Sequence, residues 1–190
     1  MRIFGVILAG GAGRRLGGAD KALQPLGGRP LARHLRDRLG PQVERLAISA
    51  NGDASRLAFL GLPVLADAEP LGPLAGILAG LDWAAAEGAA ALVSAPVDAP
   101  FLPCDLVPRL VLAGGGGTAL ARSGGRDHAA TALWPVDLRA ALRAHLAAGG
   151  RRVAAFADGA GAARADFADD GAFRNLNTPD DLARAEGLLA

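Results

Sequence analysis

Residues Leu8-Ala9-Gly10-Gly11-Ala12-Gly13-Arg14-Arg15-Leu16-Gly17-Gly18-Ala19-Asp20-Lys21 continue directly from a short apolar run, Ile3–Leu8. An apolar run of this length ending in Gly10-Gly11 reads as a buried strand feeding a loop. Glycines let backbone approach a ligand, and successive N–H groups can cradle phosphate oxygens. Arg15 and Lys21 add full positive charge. The dinucleotide fingerprint fails, because the third glycine position counted from Gly11 is Leu16. The P-loop fails too, since no Gly-Lys-Ser/Thr occurs. Two cations flanking five glycines at a strand end favour phosphate binding over an ordinary flexible turn.

Strand and helix signals alternate outward from this loop. Leu31, Leu35 and Leu39 share one helical face after Pro30, and Gly40-Pro41 stops that helix. Leu46–Ala50 and Pro63–Ala66 read as strands, with a short helix over Ser55–Leu60 between them. Leu74–Ala86 reads as a helix, Ala89–Ala95 as a strand and Asp105–Leu112 as a helix. Thr118–Arg122 and Ala130–Trp134, with Gly124-Gly125 between them, predict a hairpin pair. Val136–Ala148 is a helix ended by Gly149-Gly150. Thr178 is placed as N-cap of a last helix, with Pro179 at its first position and Asp181 at its third. Four βα units and a later hairpin predict a three-layer α/β nucleotide-binding fold, with a mostly parallel but mixed sheet and helices on both faces. Length 190 predicts one domain, 1–190. In such sheets ligands bind beyond the carboxyl ends of the strands, so Gly10–Arg15, Asn51, Asp67 and Asp98 should converge on one edge.

Composition narrows the chemistry. Lys plus Arg is 20 and Asp plus Glu is 19, giving a net charge of +1, which removes a chain-wide argument for nucleic acid. Lys21 is the only lysine against nineteen arginines, which fits either a need for a compact point charge rather than a planar fork or chance retention on a surface. Cys104 is the only cysteine, so a disulfide framework and a cysteine zinc site are excluded. His34, His128 and His145 are scattered, which argues against a histidine metal cage. The uncharged stretches Pro70–Leu81 and Leu110–Ala121 are too short to span a bilayer, and a cytoplasmic, membrane-free setting is the expectation.

Asp98 sits between Pro96 and Pro100 on a loop with few backbone donors, an arrangement that suits Mg²⁺, which takes one or two carboxylates plus substrate phosphates, although taken singly a turn-stabilising aspartate is the commoner reading. Asp67 and Asn51 end strands and are candidates to accept the N–H groups of a guanine edge. Arg126, His128, Arg151, Arg152 and Arg174 form a loose basic set near Asn175 and Asn177. An anionic second substrate explains them, and a solvated surface explains each singly. Ser94 and Ser123 show no His/Asp partner pattern, and His128 no neighbouring nucleophile, so hydrolase chemistry is not expected.

Taken together these residues resemble the molybdenum cofactor guanylyltransferase (MobA) family. The matching pieces are the Leu8–Lys21 loop, Pro30-Leu31…His34, Pro41-Gln42, Ala50-Asn51, Pro63-Val64…Asp67, Gly72-Pro73-Leu74-Ala75-Gly76 and Pro96…Asp98-Ala99-Pro100, then Arg126-Asp127-His128, Arg151-Arg152-Val153 and Phe173…Asn175-Leu176-Asn177-Thr178-Pro179. The resemblance implies GTP and molybdenum-molybdopterin as substrates, Mg²⁺ as cofactor, and molybdoenzyme apoproteins or maturation chaperones as partners. It implies GTP contacts at Leu8, Ala9, Gly10, Lys21, Asn51, Asp67 and Asp98, metal ligation at Asp98, and catalytic roles for Arg15, Lys21 and Asp98. It assigns Asn175 and Asn177 to the pterin substrate. Val97 stands where the family often has cysteine, and Ala129 where it has proline. The Gly10-Gly11 pair favours the guanylyl branch. The rivals are a cytidylyltransferase or sugar-phosphate nucleotidyltransferase of the same fold, and a non-catalytic GTP-binding maturation partner, against which Lys21 and Asp98 both count.

Overall fold

The computed structural model describes residues 1–10, 20–66 and 72–187. Arg15 and Asp67 lie outside the described residues, as does most of the glycine loop. The chain opens with β1 (Ile3–Leu8), then a 3-10 turn (Lys21–Leu23), a small hairpin of β2 (Pro25–Leu26) and β3 (Arg29–Pro30), and α1 (Leu31–Leu39). It continues with β4 (Arg45–Ser49), a 3-10 segment (Ala54–Leu60), β5 (Val64–Leu65), α2 (Pro73–Ala86), β6 (Ala91–Pro96) and α3 (Leu106–Gly114). The second half holds β7 (Ala119–Ser123), β8 (Arg126–Pro135), a 3-10 turn (Val136–Leu138), α4 (Arg139–Ala147), α5 (Val153–Gly159), β9 (Ala163–Phe167), another 3-10 turn (Asp170–Phe173) and α6 (Pro179–Glu186).

The sheet has 7 strands in the order β5-β4-β1-β6-β8-β7-β9. The pairs β1–β4, β1–β6, β4–β5 and β7–β9 are parallel, while β8 runs antiparallel to both β6 and β7. The expected mixed sheet is therefore present, with the hairpin supplying its one reversed strand. That hairpin turns on Gly124 (φ 52°) and Gly125 (φ 73°). Two successive left-handed residues make the turn whose twist matches the strands, and glycine adopts it without a Cβ penalty.

Alternation along β1 distributes the core. Phe4, Val6 and Leu8 face a cluster with Leu74, Ile77 and Leu81 of α2, Leu142 of α4 and Phe156 of α5. Ile7 faces the opposite cluster with Leu35 of α1 and Leu106 of α3. Burial on both faces is why the run is nearly continuous in apolar residues. A third cluster, Leu26, Leu31, Leu176 and Ala185, packs α6 and its lead-in against the small hairpin.

Some local expectations need correction. The helix expected over Ser55–Leu60 is a 3-10 segment, and the one expected over Val136–Ala148 divides into a 3-10 turn and α4. β8 begins at Arg126 rather than Ala130, because its first residues pair with β7 beyond a register shift between Leu120 and Ala121. Neither α5, β9 nor the β2–β3 hairpin was expected. All three are short, and α5 is too alanine-rich to show a hydrophobic period.

Candidate active site

The site begins where β1, β4 and β6 end together. Leu8 is paired with Ser49 on one side and with Pro96 on the other. The ladder continues past the strands: Ala9 N–H donates to the Ser49 carbonyl at 2.8 Å, and Val97 N–H to the Leu8 carbonyl at 3.0 Å. This places Leu8, Ala9 and Gly10 beside the Pro96–Pro100 loop that carries Asp98. Asn51 lies just beyond β4 at the same edge, partly buried.

Lys21 starts the 3-10 turn capped by Asp20, whose carboxylate accepts from Ala22 N–H at 2.9 Å and is paired with Arg56. The turn delivers the Lys21 ammonium to Asp98 Oδ2 at 2.6 Å and to Asn177 Oδ1 at 2.5 Å. Leu176 N–H also donates to the Asp98 carbonyl at 2.8 Å, tying the segment before α6 to the same loop. The Lys21 and Asp98 side chains are only 20% and 14% exposed, so this pair is poorly screened.

A cavity of about 150 Å³ is lined by Leu8, Ala9, Gly10, Lys21, Gly76 and Asp98, among others. Asp98 Oδ1 is buried with no hydrogen-bond partner among the described residues. A buried carboxylate oxygen left unpaired calls for a missing ligand. Mg²⁺ fits, since it takes one or two carboxylates together with substrate phosphates. No cluster of three or more His, Cys, Asp or Glu suited to a metal occurs among the described residues, so any ion here would depend on the substrate for its other ligands.

A second cavity, about 390 Å³, is lined by Asn177, which accepts from Lys21 of the first, and by Ser123, Arg126, His128, Phe173, Arg174 and Asn175. The His128 ring stacks on Phe173 with centroids 4.6 Å apart. Burial pushes the imidazole below its ordinary pKa, and Arg126 lowers it further, against smaller opposing pulls from Asp127 and Asp170. His128 Nε2 lies 2.8 Å from the Ser123 hydroxyl. The expectation that neither had such a partner is thus overturned, because the β7–β8 hairpin folds them together. The pair is not a hydrolytic triad: Asp127 is taken up by Arg122 at 2.6 Å and Arg164 at 3.0 Å. Ser94 is fully buried and structural, accepting from Trp134 Nε1 at 2.9 Å and donating to the Ala130 carbonyl at 2.9 Å.

The loose basic set therefore divides. Arg126, His128 and Arg174 share the second cavity with Asn175 and Asn177. Arg151 instead donates to the Leu146 and Gly150 carbonyls, and Arg152 is the exposed residue preceding α5. Another cavity, about 800 Å³, lies along α2 and α4; neither Lys21 nor Asp98 lines it, and its lining is mostly apolar. Sequence reasoning missed Ser123 as a wall of the second cavity and Ser49 and Gly76 as walls of the first. The Gly72-Pro73…Gly76 pattern carried a usable signal for Gly76, since a glycine inside a helix marks close backbone approach.

Comparison with known proteins identifies the family and the fold. The MobA-like NTP transferase domain family matches residues 5–162. A molybdenum cofactor guanylyltransferase of Cereibacter sphaeroides is 65% identical over 189 residues, spanning 100% of this chain and 98% of its own. One from Rhodobacter capsulatus is 56% identical over 193 residues, spanning 100% and 97%. A solved structure, molybdopterin-guanine dinucleotide biosynthesis protein A from Archaeoglobus fulgidus, shares the fold at a TM-score of 0.77 and 21% identity over 98% of each chain. With identity this high along its whole length, the chain belongs to the molybdenum cofactor guanylyltransferase family.

Proposed function

We propose that this protein transfers GMP from GTP to molybdenum-molybdopterin, giving the molybdopterin guanine dinucleotide cofactor and pyrophosphate. The observation that carries this reading is the Lys21–Asp98–Asn177 cluster, which joins two cavities at the carboxyl edge of the sheet. The smaller cavity is below the ~300–1,000 Å³ of a site that encloses a drug-sized ligand, so it suits phosphates, with the base lying outside it. Asn51 and Asp67 would accept from the guanine edge. The larger cavity, with Arg126, Arg174, Asn175 and Asn177, suits an anionic heterocyclic acceptor.

A terminal phosphate oxygen of the acceptor attacks the α-phosphorus of GTP in line, the new P–O bond forms, and pyrophosphate departs with the electrons of the bond broken. Positioning and charge stabilisation suffice, so no covalent enzyme intermediate is required. Lys21 offers its remaining N–H to the phosphates, and Arg15 adds a second cation. Asp98 would hold Mg²⁺, which when bound offsets negative charge on the triphosphate. Hand-over of the product to molybdoenzyme apoproteins or maturation chaperones, and a cytoplasmic setting, belong to this proposal. The cytoplasmic setting is supported by the single free cysteine and by the nucleotide substrate. Among the described residues no helix is long and apolar enough to cross a membrane.

Pyrophosphate release is measured with molybdenum-loaded molybdopterin and Mg²⁺, using GTP, CTP, ATP and UTP separately. Release with GTP alone is the expected result. Release with CTP moves the protein to the cytidylyl branch. GTP binding without release, in folded protein, replaces catalysis with a binding role.

A further inference from the structure

We infer that Asn177 is a bridge between the two substrates: its carbonyl oxygen positions Lys21 for the triphosphate while its amide N–H groups meet the acceptor. This deepens the proposed reaction and rests on it. An asparagine beside an ammonium can present only its oxygen, so the 2.5 Å contact with Lys21 fixes the amide orientation. Asn177 also lines the second cavity, and its bonds among the described residues are made by Oδ1 and the backbone N–H, which leaves the amide nitrogen for an acceptor there. Lys21 has three donors; among the described residues Asp98 and Asn177 take two, leaving one for a phosphate oxygen.

The bridge is held firmly. Asn177 N–H donates to Asp181 Oδ2 at 3.1 Å, inside the capping box that Thr178 and Asp181 form at the start of α6. Leu176 is fully buried, and its N–H is bound to the Asp98 carbonyl at 2.8 Å. A rigid acceptor thus orders a long, flexible lysine before the nucleotide arrives, which removes part of the ordering cost of binding. Asn177 is accordingly a positioning residue on the nucleotide side, in addition to any contact with the pterin. Asn175 is the internal control: it is exposed, lines the same cavity and makes no bond to Lys21.

GTP affinity is measured calorimetrically without acceptor for wild type, Asn175→Ala and Asn177→Ala, and again for Asn177→Ala in a Lys21→Ala background. The Ala variant keeps the backbone N–H that Asp181 accepts. Asn177→Ala should weaken GTP about three- to tenfold, the fold-change that ordering one long side chain is worth. Asn175→Ala should leave GTP affinity unchanged, and Asn177→Ala should add nothing once Lys21 is gone. In steady state Asn177→Ala raises KM for both substrates and Asn175→Ala for the acceptor alone. Unchanged or tighter GTP binding by Asn177→Ala overturns the bridge, as does an equal loss in the Lys21→Ala background. Absence of GTP binding by wild type overturns the proposed reaction instead. The comparison then uses inorganic triphosphate, whose weakened binding to Asn177→Ala sustains the bridge and whose equal or absent binding sinks it.

Discussion

Replacing Asp98 by alanine should abolish transfer while leaving the fold almost as stable as before. The substitution removes a charge-assisted hydrogen bond at 2.6 Å to Lys21, of a kind worth about 1.5–3 kcal/mol when fully desolvated. Lys21 keeps its bond to Asn177 and, with 20% of its side chain exposed, some access to water, which limits the loss. The same substitution removes Asp98 Oδ1, a buried oxygen with no partner among the described residues, and so relieves about 1–3 kcal/mol of desolvation cost. Leu176 still donates to the residue-98 carbonyl, because that bond belongs to the backbone. The two terms nearly cancel, and Tm should move by no more than about 2–4 °C, the shift that ~1 kcal/mol produces in a domain of this size. Pyrophosphate release should fall about 100- to 1,000-fold, the loss expected when one charge stabiliser is removed from a phosphate site. Chelation of Mg²⁺ should weaken GTP binding by wild type and leave the variant unaffected. Paired thermal melts and release assays decide the matter. Activity within about tenfold of wild type would refute the metal role. A Tm loss well beyond ~4 °C would refute the cancellation and make Asp98 a structural residue.

Two other perturbations probe the walls of the site. A Cβ added at Gly76 would meet Ser49 Oγ at 2.6 Å and Leu8 Cδ2 at 3.0 Å. Helix propensity favours Gly76→Ala by about 1 kcal/mol, but overpacking costs about 1–3 kcal/mol and should win, lowering Tm by roughly 2–6 °C and weakening GTP as Leu8 and Ser49 shift; a raised Tm would contradict the close packing of α2 on β1 and β4. For His128, burial and Arg126 hold the folded imidazole below the unfolded value, so unfolding takes up a proton. Stability should therefore fall as pH drops below about 6.5 and go on falling until the lower folded value is passed. His128→Gln should flatten that slope in melts between about pH 8 and 5.5, and an identical slope in the variant would rule out His128 as its source.

Short-range signals in the chain account for much of the architecture. The apolar run Ile3–Leu8, the Gly124-Gly125 turn and the Thr178-Pro179-Asp180-Asp181 cap each depend on neighbours within a few residues. The capping box forms as the spacing predicts, with Asp181 N–H on Thr178 Oγ1 at 3.1 Å. Alternation of strand and helix signals, with a later hairpin, was enough to indicate a mixed α/β sheet. β9 was different: Ala163–Phe167 carries only two inward residues, Ala165 and Phe167, and it becomes a strand because β7 offers it a parallel edge.

Sequence alone determined the kinds of residue available for chemistry: one lysine, a carboxylate between prolines, and two asparagines before the last helix. Tertiary structure decided which of them meet. Lys21 lies 77 residues from Asp98 and 156 from Asn177, distances over which no periodicity or cap carries information. Their meeting depends on β1 lying beside β6, and on Leu176 packing with Leu26 and Leu31. The same long-range order separated Arg151 and Arg152 from Arg126 and Arg174, and brought Ser123 to His128 across a hairpin. Side-chain chemistry is written residue by residue, whereas its convergence is set by strand order and by the burial of apolar faces far apart in the chain.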